Sequence, residues 1–221
     1  MDRLTKLCNK YGTDKGTEAG SSHGFSVFYE PFFNKLENPK ILEIGVLGGA
    51  FEKAISEYYD GDCTIYCVDV VDSANLFDGM DNVKFFQCDC GAEVEIQKLI
   101  DKFGDVEFDV VIDDASHAWI HQLLSLLHFR RLLKDGGVFI MEDLHSSFED
   151  IFRGDSELNE TPLDMIAKLS PCNFFTEDEN KEILGSISEC FLYSRHNKRR
   201  LGEGDVFCRS VTAVMKINKN G

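Results

Sequence analysis

Between Lys40 and Met141, short apolar runs alternate with segments of helical periodicity, and this constrains the fold more than any other feature. "KILEIGV", "TIYCVDV", "VKFFQC", "FDVVID" and "VFIME" have the length and β-branched or aromatic content of buried strands. Between them, "AEVEIQKLIDKFG" puts Ile96, Leu99, Ile100 and Phe103 on one face and stops at Gly104. The segment after "FDVVID" repeats that spacing with Ile120, Leu123, Leu124 and Leu127. Such strand–helix alternation predicts βαβ units and a mostly parallel sheet covered on both faces. Later, "TPLDMIAKL" predicts a helix with Thr161 as N-cap and Pro162 in its first position. "SISECFLYSR" and "RSVTAVMKI" then read as two strands joined by a polar turn, an antiparallel pair closing one sheet edge. The expected fold class is α/β, doubly wound, with a mostly parallel seven-stranded sheet and an antiparallel terminal strand.

A chain of 221 residues, 43% hydrophobic, can bury a core of its own, and no repeat or Pro/Ser-rich linker divides it. Its net charge of −16 argues against duplex nucleic acid as a partner, since phosphate binding needs a basic stripe. The basic run "RHNKRR" (Arg195 to Arg200) reads as a solvated turn. No apolar run reaches the ~20 residues of a membrane span, so no membrane partner is expected. None of the eight cysteines forms a Cys-x-x-Cys pair, so reduced thiols in a cytoplasmic compartment are expected.

"LEIGVLGGAF" follows the first strand and opens a helix, where a doubly wound sheet binds nucleotide-like ligands. The dehydrogenase fingerprint Gly-x-Gly-x-x-Gly fails here: Leu47 stands in the second glycine's place and Ala50 in the third's. Gly45 and Gly48 are instead candidate cofactor-lining positions, and Glu43 suits a ligand with a cationic amino group. Asp69 ends the second strand where an acid accepts from ribose hydroxyls, and Asp89 follows the third, within reach of an adenine edge.

Two strands end in paired carboxylates, Asp113–Asp114 and Glu142–Asp143. Neighbouring strand tips lie about 4.8 Å apart, so four acids would repel there, and neither motif contains a lysine or arginine. A divalent cation is the simplest compensation, and oxygen donors point to Mg²⁺, with Mn²⁺ or Ca²⁺ as alternatives. The bland alternative is a helix cap in each pair with its neighbour in water. His117, one turn before Ile120 and Leu124, is expected at the helix start, facing the sheet. It is either a general base or a hydrogen-bonded histidine at the core's edge.

Acids ending strands one, two and three, with a glycine turn after the first, resemble the class I S-adenosylmethionine-dependent methyltransferases, whose sheet is Rossmann-like. "KYGTDKG", "HGFSVFYEPFF", "ILEIGVLGGAF", "VVIDDASH" and "FIMEDLHSSF" together resemble the metal-dependent O-methyltransferases of macrolide sugars and polysaccharides. The resemblance spans residues 9 to 148, with Ala115 where the family usually has glycine and Phe148 where tyrosine is common. It implies Asp114, Glu142 and Asp143 as magnesium ligands, His117 as general base acting beside Asp114, and Asp113 near the cofactor. It also implies that residues 1–38 form a helical lid segment, bringing Thr13, Lys15 and His23 to the site, while residues 39–221 bind the cofactor.

The implied activity is methyl transfer from S-adenosylmethionine to a sugar hydroxyl of a glycoside, nucleotide sugar or polysaccharide. Catechol- or phenol-type methylation is the alternative within enzymes, and a non-catalytic cofactor-binding regulatory subunit the alternative outside them. A carbohydrate or glycosylated small molecule is therefore the expected partner, and a homo-oligomer stays open.

Overall fold

The computed structural model describes residues 1–18, 23–201 and 204–219, excepting the side chains of residues 196–209. Two helices, α1 (Arg3–Tyr11) and α2 (Ser26–Phe33), precede the sheet. Asp2 caps α1 through Thr5 N, and Gly12 ends it in the left-handed region, so the chain turns sharply into "TDKG". The apolar runs form β1 (Lys40–Ile44), β2 (Thr64–Asp69), β3 (Val83–Gln87), β4 (Phe108–Asp113) and β5 (Leu133–Met141). Helices α3 (Ala50–Tyr58), α4 (Glu93–Phe103) and α5 (Trp119–Phe129) connect them. The C-terminal part adds α6 (Pro162–Lys168), α7 (Glu177–Ser186), β6 (Ile187–Leu201) and β7 (Gly204–Ile217).

The seven strands lie in the order β3-β2-β1-β4-β5-β7-β6. The pairs among β1 to β5 are parallel, whereas β7 is antiparallel to both β5 and β6. The order reverses between β1 and β4, which opens the crevice where doubly wound sheets take ligands. Helix α6 starts as expected, with Thr161 accepting from Asp164 N and Pro162 first in the helix.

Two expectations are corrected. The basic run 195–200 is no turn: its backbone continues β6, paired from Arg195↔Ser210 out to Leu201↔Gly204. Ladder bonds need only backbone amides, so charged residues do not end a strand that has a partner. His117 is not on the helix, which begins at Trp119; its φ of 59° puts it in the left-handed region. Ala118 is the N-cap and carries no side-chain acceptor; the Ser116 hydroxyl oxygen accepts from Ala118 N at 3.3 Å in the turn before α5.

Period-two alternation decides what each face receives. Ile41, Val110, Ile112 and Ile140 pack with Leu4, Phe25, Tyr29, Phe33, Phe51 and Ile55 under the N-terminal helices. Leu42, Ile44, Val111, Phe139 and Met141 face the other way, against Ile96, Leu99, Leu123 and Leu127 of α4 and α5. Glu43 shares the first face with Ile41, and Asp114 and Glu142 follow Ile112 and Ile140 by two residues. The register Ile44↔Asp113↔Met141 sets Asp114 and Glu142 on the next rung, so the three acids rise together on one face. Asp113 falls on the opposite face, buried against α5, where burial pushes its carboxyl up to about 7.

Candidate active site

Beyond the strand tips of β1, β2 and β4 lies a cavity of about 690 Å³. It is lined by Thr13, Asp14 and Lys15, the turn from Glu43 to Gly48, Asp69, residues 88–91, Asp113 to His117, and Asp143. Every residue expected to hold cofactor is therefore on its wall. Gly45 has φ 92°, and a Cβ there would stand 2.0 Å from the Asp114 carbonyl oxygen; the turn admits glycine alone. Around Gly48 the space is open. Asp69 is held by its two oxygens, accepting from Val46 N and Val71 N at 2.9 Å each, which ties the end of β2 to the glycine turn. Asp89 accepts from Gly91 N at 2.8 Å.

The cation missing from both acidic motifs comes from the N-terminal segment. Lys15, 2% exposed, donates to Asp114 and, at 3.0 Å, to Glu142, and lies 3.7 Å from Glu43. Burial alone would push its pKa down; the carboxylates of Asp114, Glu142 and Glu43 outweigh it and hold the ammonium well above its ordinary value. Glu142 also accepts from the Tyr29 hydroxyl. Burial, with Asp114 adding to it, raises the Glu142 carboxyl in spite of Lys15. Sequence reasoning placed Lys15 at the site but not in this role, because nothing local to "TDKG" reveals a partner 99 residues away.

Asp143 is ringed by imidazoles. His117 Nε2 lies 3.3 Å from Oδ2, while His145 Nδ1 and His23 Nδ1 lie 3.5 and 3.7 Å from Oδ1. Oδ1 is nevertheless buried without a hydrogen bond. Donor atoms of Asp114, His117 and Asp143 all lie within 4.8 Å of one another, a spacing that can hold a metal ion. Glu142, expected beside them, accepts from Tyr29 and Lys15, and Asp114 too accepts from Lys15. An orphaned carboxylate oxygen and this donor set fit a divalent cation. His145 was legible only as an echo: "EDLH" repeats the acid-acid-then-histidine form of "DDASH".

Beneath Glu43, on α3, Glu52 is 1% exposed; Cys67 donates to its Oε1, and among the described residues its Oε2 has no partner. Burial pushes this carboxyl up to about 7. A carboxyl raised by folding contributes its full stability below the unfolded value of 4.5 and loses it as pH rises through about 7. Glu52→Gln, which cannot ionise, is therefore expected to flatten that fall and to exceed the parent by roughly 2 kcal/mol at about pH 8. Urea unfolding at about pH 5 and pH 8 measures this; equal stability at the higher pH would overturn it.

The strand order, with its antiparallel terminal strand, makes a Rossmann-like sheet, a fold that class I methyltransferases share. In sequence the chain resembles the O-methyltransferases of macrolide and related sugars. Demethylmacrocin O-methyltransferase of Streptomyces fradiae is 29% identical over 169 residues, covering 72% of this chain and 41% of the relative. Mycinamicin VI 2''-O-methyltransferase of Micromonospora griseorubida is 27% identical, covering 71% of this chain and 40% of its own length. The chain thus spans about two fifths of the curated relatives it matches. The MycE methyltransferase of the mycinamycin pathway, solved with Mg and SAH, superimposes with a TM-score of 0.72 at 20% identity, over 99% of this chain and 55% of that one. No protein-family model matches.

Proposed function

We propose that the chain is an S-adenosylmethionine-dependent, divalent-cation-dependent O-methyltransferase acting on a sugar hydroxyl of a glycosylated small molecule. The observation that carries this is the convergence of Asp114, His117 and Asp143 on the cofactor-sized cavity, with an Asp143 oxygen left unpartnered. Sugar-hydroxyl specificity comes from the relatives' names, among them a rhamnosyl tetracenomycin-C 2'-O-methyltransferase.

In this proposal Glu43 receives the cofactor's amino group, Asp69 its ribose, and Asp89 its adenine edge, with Gly45 and Gly48 keeping the wall free of side chains. Thr13 and Lys15 close the cavity from the N-terminal segment, so that residues 1–38 serve as a strap over the cofactor. Asp114, Glu142 and Asp143 would hold Mg²⁺, with His117 beside them. When bound, the cation supplies Lewis acidity that brings the acceptor hydroxyl's pKa towards neutrality. His117 would take the hydroxyl proton, and Asp143, 3.3 Å from its Nε2, would stabilise the imidazolium. Enclosure in the cavity aligns acceptor oxygen and donor methyl, the larger part of the rate gain for an already activated methyl.

Turnover of methyl-labelled S-adenosylmethionine over a panel of glycosides and catechols tests this. Labelled glycosides are expected, with turnover reduced at least about a hundredfold in excess EDTA and restored by Mg²⁺. Label on catechols alone would transfer the activity to phenolic acceptors, and undiminished turnover in EDTA would remove the metal.

A further inference from the structure

His121, in the first turn of α5, lines the cavity, yet the mechanism above does not use it. Its imidazole faces the turn that follows β3. A Cβ placed on Gly91 would lie 2.5 Å from both Cε1 and Nε2 of this ring, and 3.1 Å from Asp89 Oδ1. Gly91 is not among the glycines with positive φ, so packing against the ring, not backbone strain, requires a glycine there. The Nε2 edge of His121 and the carboxylate of Asp89 thus flank one small volume at this end of the cavity. The other edge of the ring is anchored: Nδ1 lies 2.7 Å from Ser116 Oγ, which accepts from Ala118 N at 3.3 Å. With its oxygen accepting from the amide, Ser116 has its hydroxyl proton free to donate to Nδ1, which leaves the ring's own proton on Nε2. The described residues give Nε2 no hydrogen-bond partner.

We propose that His121 is an adenine-binding residue, its Nε2–H donating to the ring nitrogen beside the amino group that Asp89 receives, with Ser116 as the positioning residue that holds the imidazole. An adenine edge sets an amino donor next to a ring-nitrogen acceptor. The Asp89 carboxylate can only accept, so it serves the amino group and leaves the ring nitrogen in need of a donor. The amides of Cys88, Gly91 and Ala92 are already spent on Asp69 O, Asp89 Oδ1 and Asp89 O. His121 supplies the donor from the facing element, so β3 and α5 read the base between them. A 6-oxo purine would turn a second acceptor towards the Asp89 carboxylate and be rejected. This assignment deepens the S-adenosylmethionine proposal and rests on it.

The experiment measures, by calorimetry on the full chain, the binding of S-adenosylhomocysteine and of its 1-deaza and 7-deaza analogues, each lacking one of the two ring nitrogens beside the amino group. The wild type is expected to bind one of the two analogues about tenfold more weakly than S-adenosylhomocysteine, the effect of one lost hydrogen bond. His121→Phe, which keeps a ring against Gly91 but has no donor, is expected to bind S-adenosylhomocysteine about tenfold more weakly and to lose that discrimination. His121→Gln retains an N–H and is expected to recover part of both, and it serves as the second variant should phenylalanine disturb the fold. Ser116→Ala is expected to reduce the discrimination without abolishing it. If His121 only packs against Gly91, the phenylalanine variant will discriminate as the wild type does, and the proposal falls. It falls equally if the wild type binds both analogues as tightly as S-adenosylhomocysteine. Absence of S-adenosylhomocysteine binding to the wild type would instead overturn the cofactor assignment itself.

Discussion

Asp114→Asn is expected to lower metal-dependent turnover by a factor of at least about a thousand while leaving S-adenosylhomocysteine affinity within about threefold. The substitution keeps the backbone: Asp114 N still donates to Ile44 O at 2.8 Å, and the Asp114 carbonyl still walls the Gly45 turn. What it removes is the charge shared by the two halves of the site. Asp114 meets Lys15 on one side and lies with His117 and Asp143 on the other. A neutral amide offers one weak oxygen to a hard cation, so affinity for Mn²⁺, followed by electron paramagnetic resonance, should fall in parallel with turnover. Loss of turnover with metal binding intact would move Asp114 from ligand to base. Turnover within tenfold of wild type would exclude both roles.

The contrast between Asp114 and Lys15 shows what a sequence exposes. Asp114 was legible because a strand has a period of two and a parallel sheet fixes its register: once "FDVVID" and "VFIME" are strands, their final acids must share a rim. The glycine turn was legible for a similar local reason, since one close approach, Gly45 to the Asp114 carbonyl, forbids a Cβ. Lys15 sits in a loop with no period, and its partners are distant in the chain, so its burial follows only from how α1 and α2 dock on the sheet. His117 lines the cavity but lies outside the helix expected to carry it. The spacing of Ile120, Leu123 and Leu127 says where a helical face points, not at which residue the helix begins. The length of β6 was hidden for the opposite reason: polar composition suggested a turn where an available backbone partner made a strand.

Lys15→Met is expected to cost the metal-free protein about 3–5 kcal/mol, because it leaves the buried Glu43 and Glu142 and the half-buried Asp114 without their only close cation among the described residues. Methionine fills the volume of the lysine stem, so the change isolates charge rather than packing. For a chain of this length the loss corresponds to a fall in Tm of about 10 °C in EDTA. The sign of its pH dependence follows from the carboxyls. Burial already raises Glu43 and Glu142 above their ordinary range, and without the ammonium both are held still more firmly as acids. Such groups contribute their stability below the unfolded value of 4.5 and lose it as pH rises. The deficit of the variant should therefore be small near pH 5 and grow toward pH 8. Divalent cations should reverse it, since a cation at Asp114 neutralises the same cluster; Mg²⁺ is expected to raise the variant's Tm more than the wild type's. A variant as stable as its parent in EDTA at pH 8 would mean that the acids are neutral in both, and that Lys15 closes the cavity without balancing its charge.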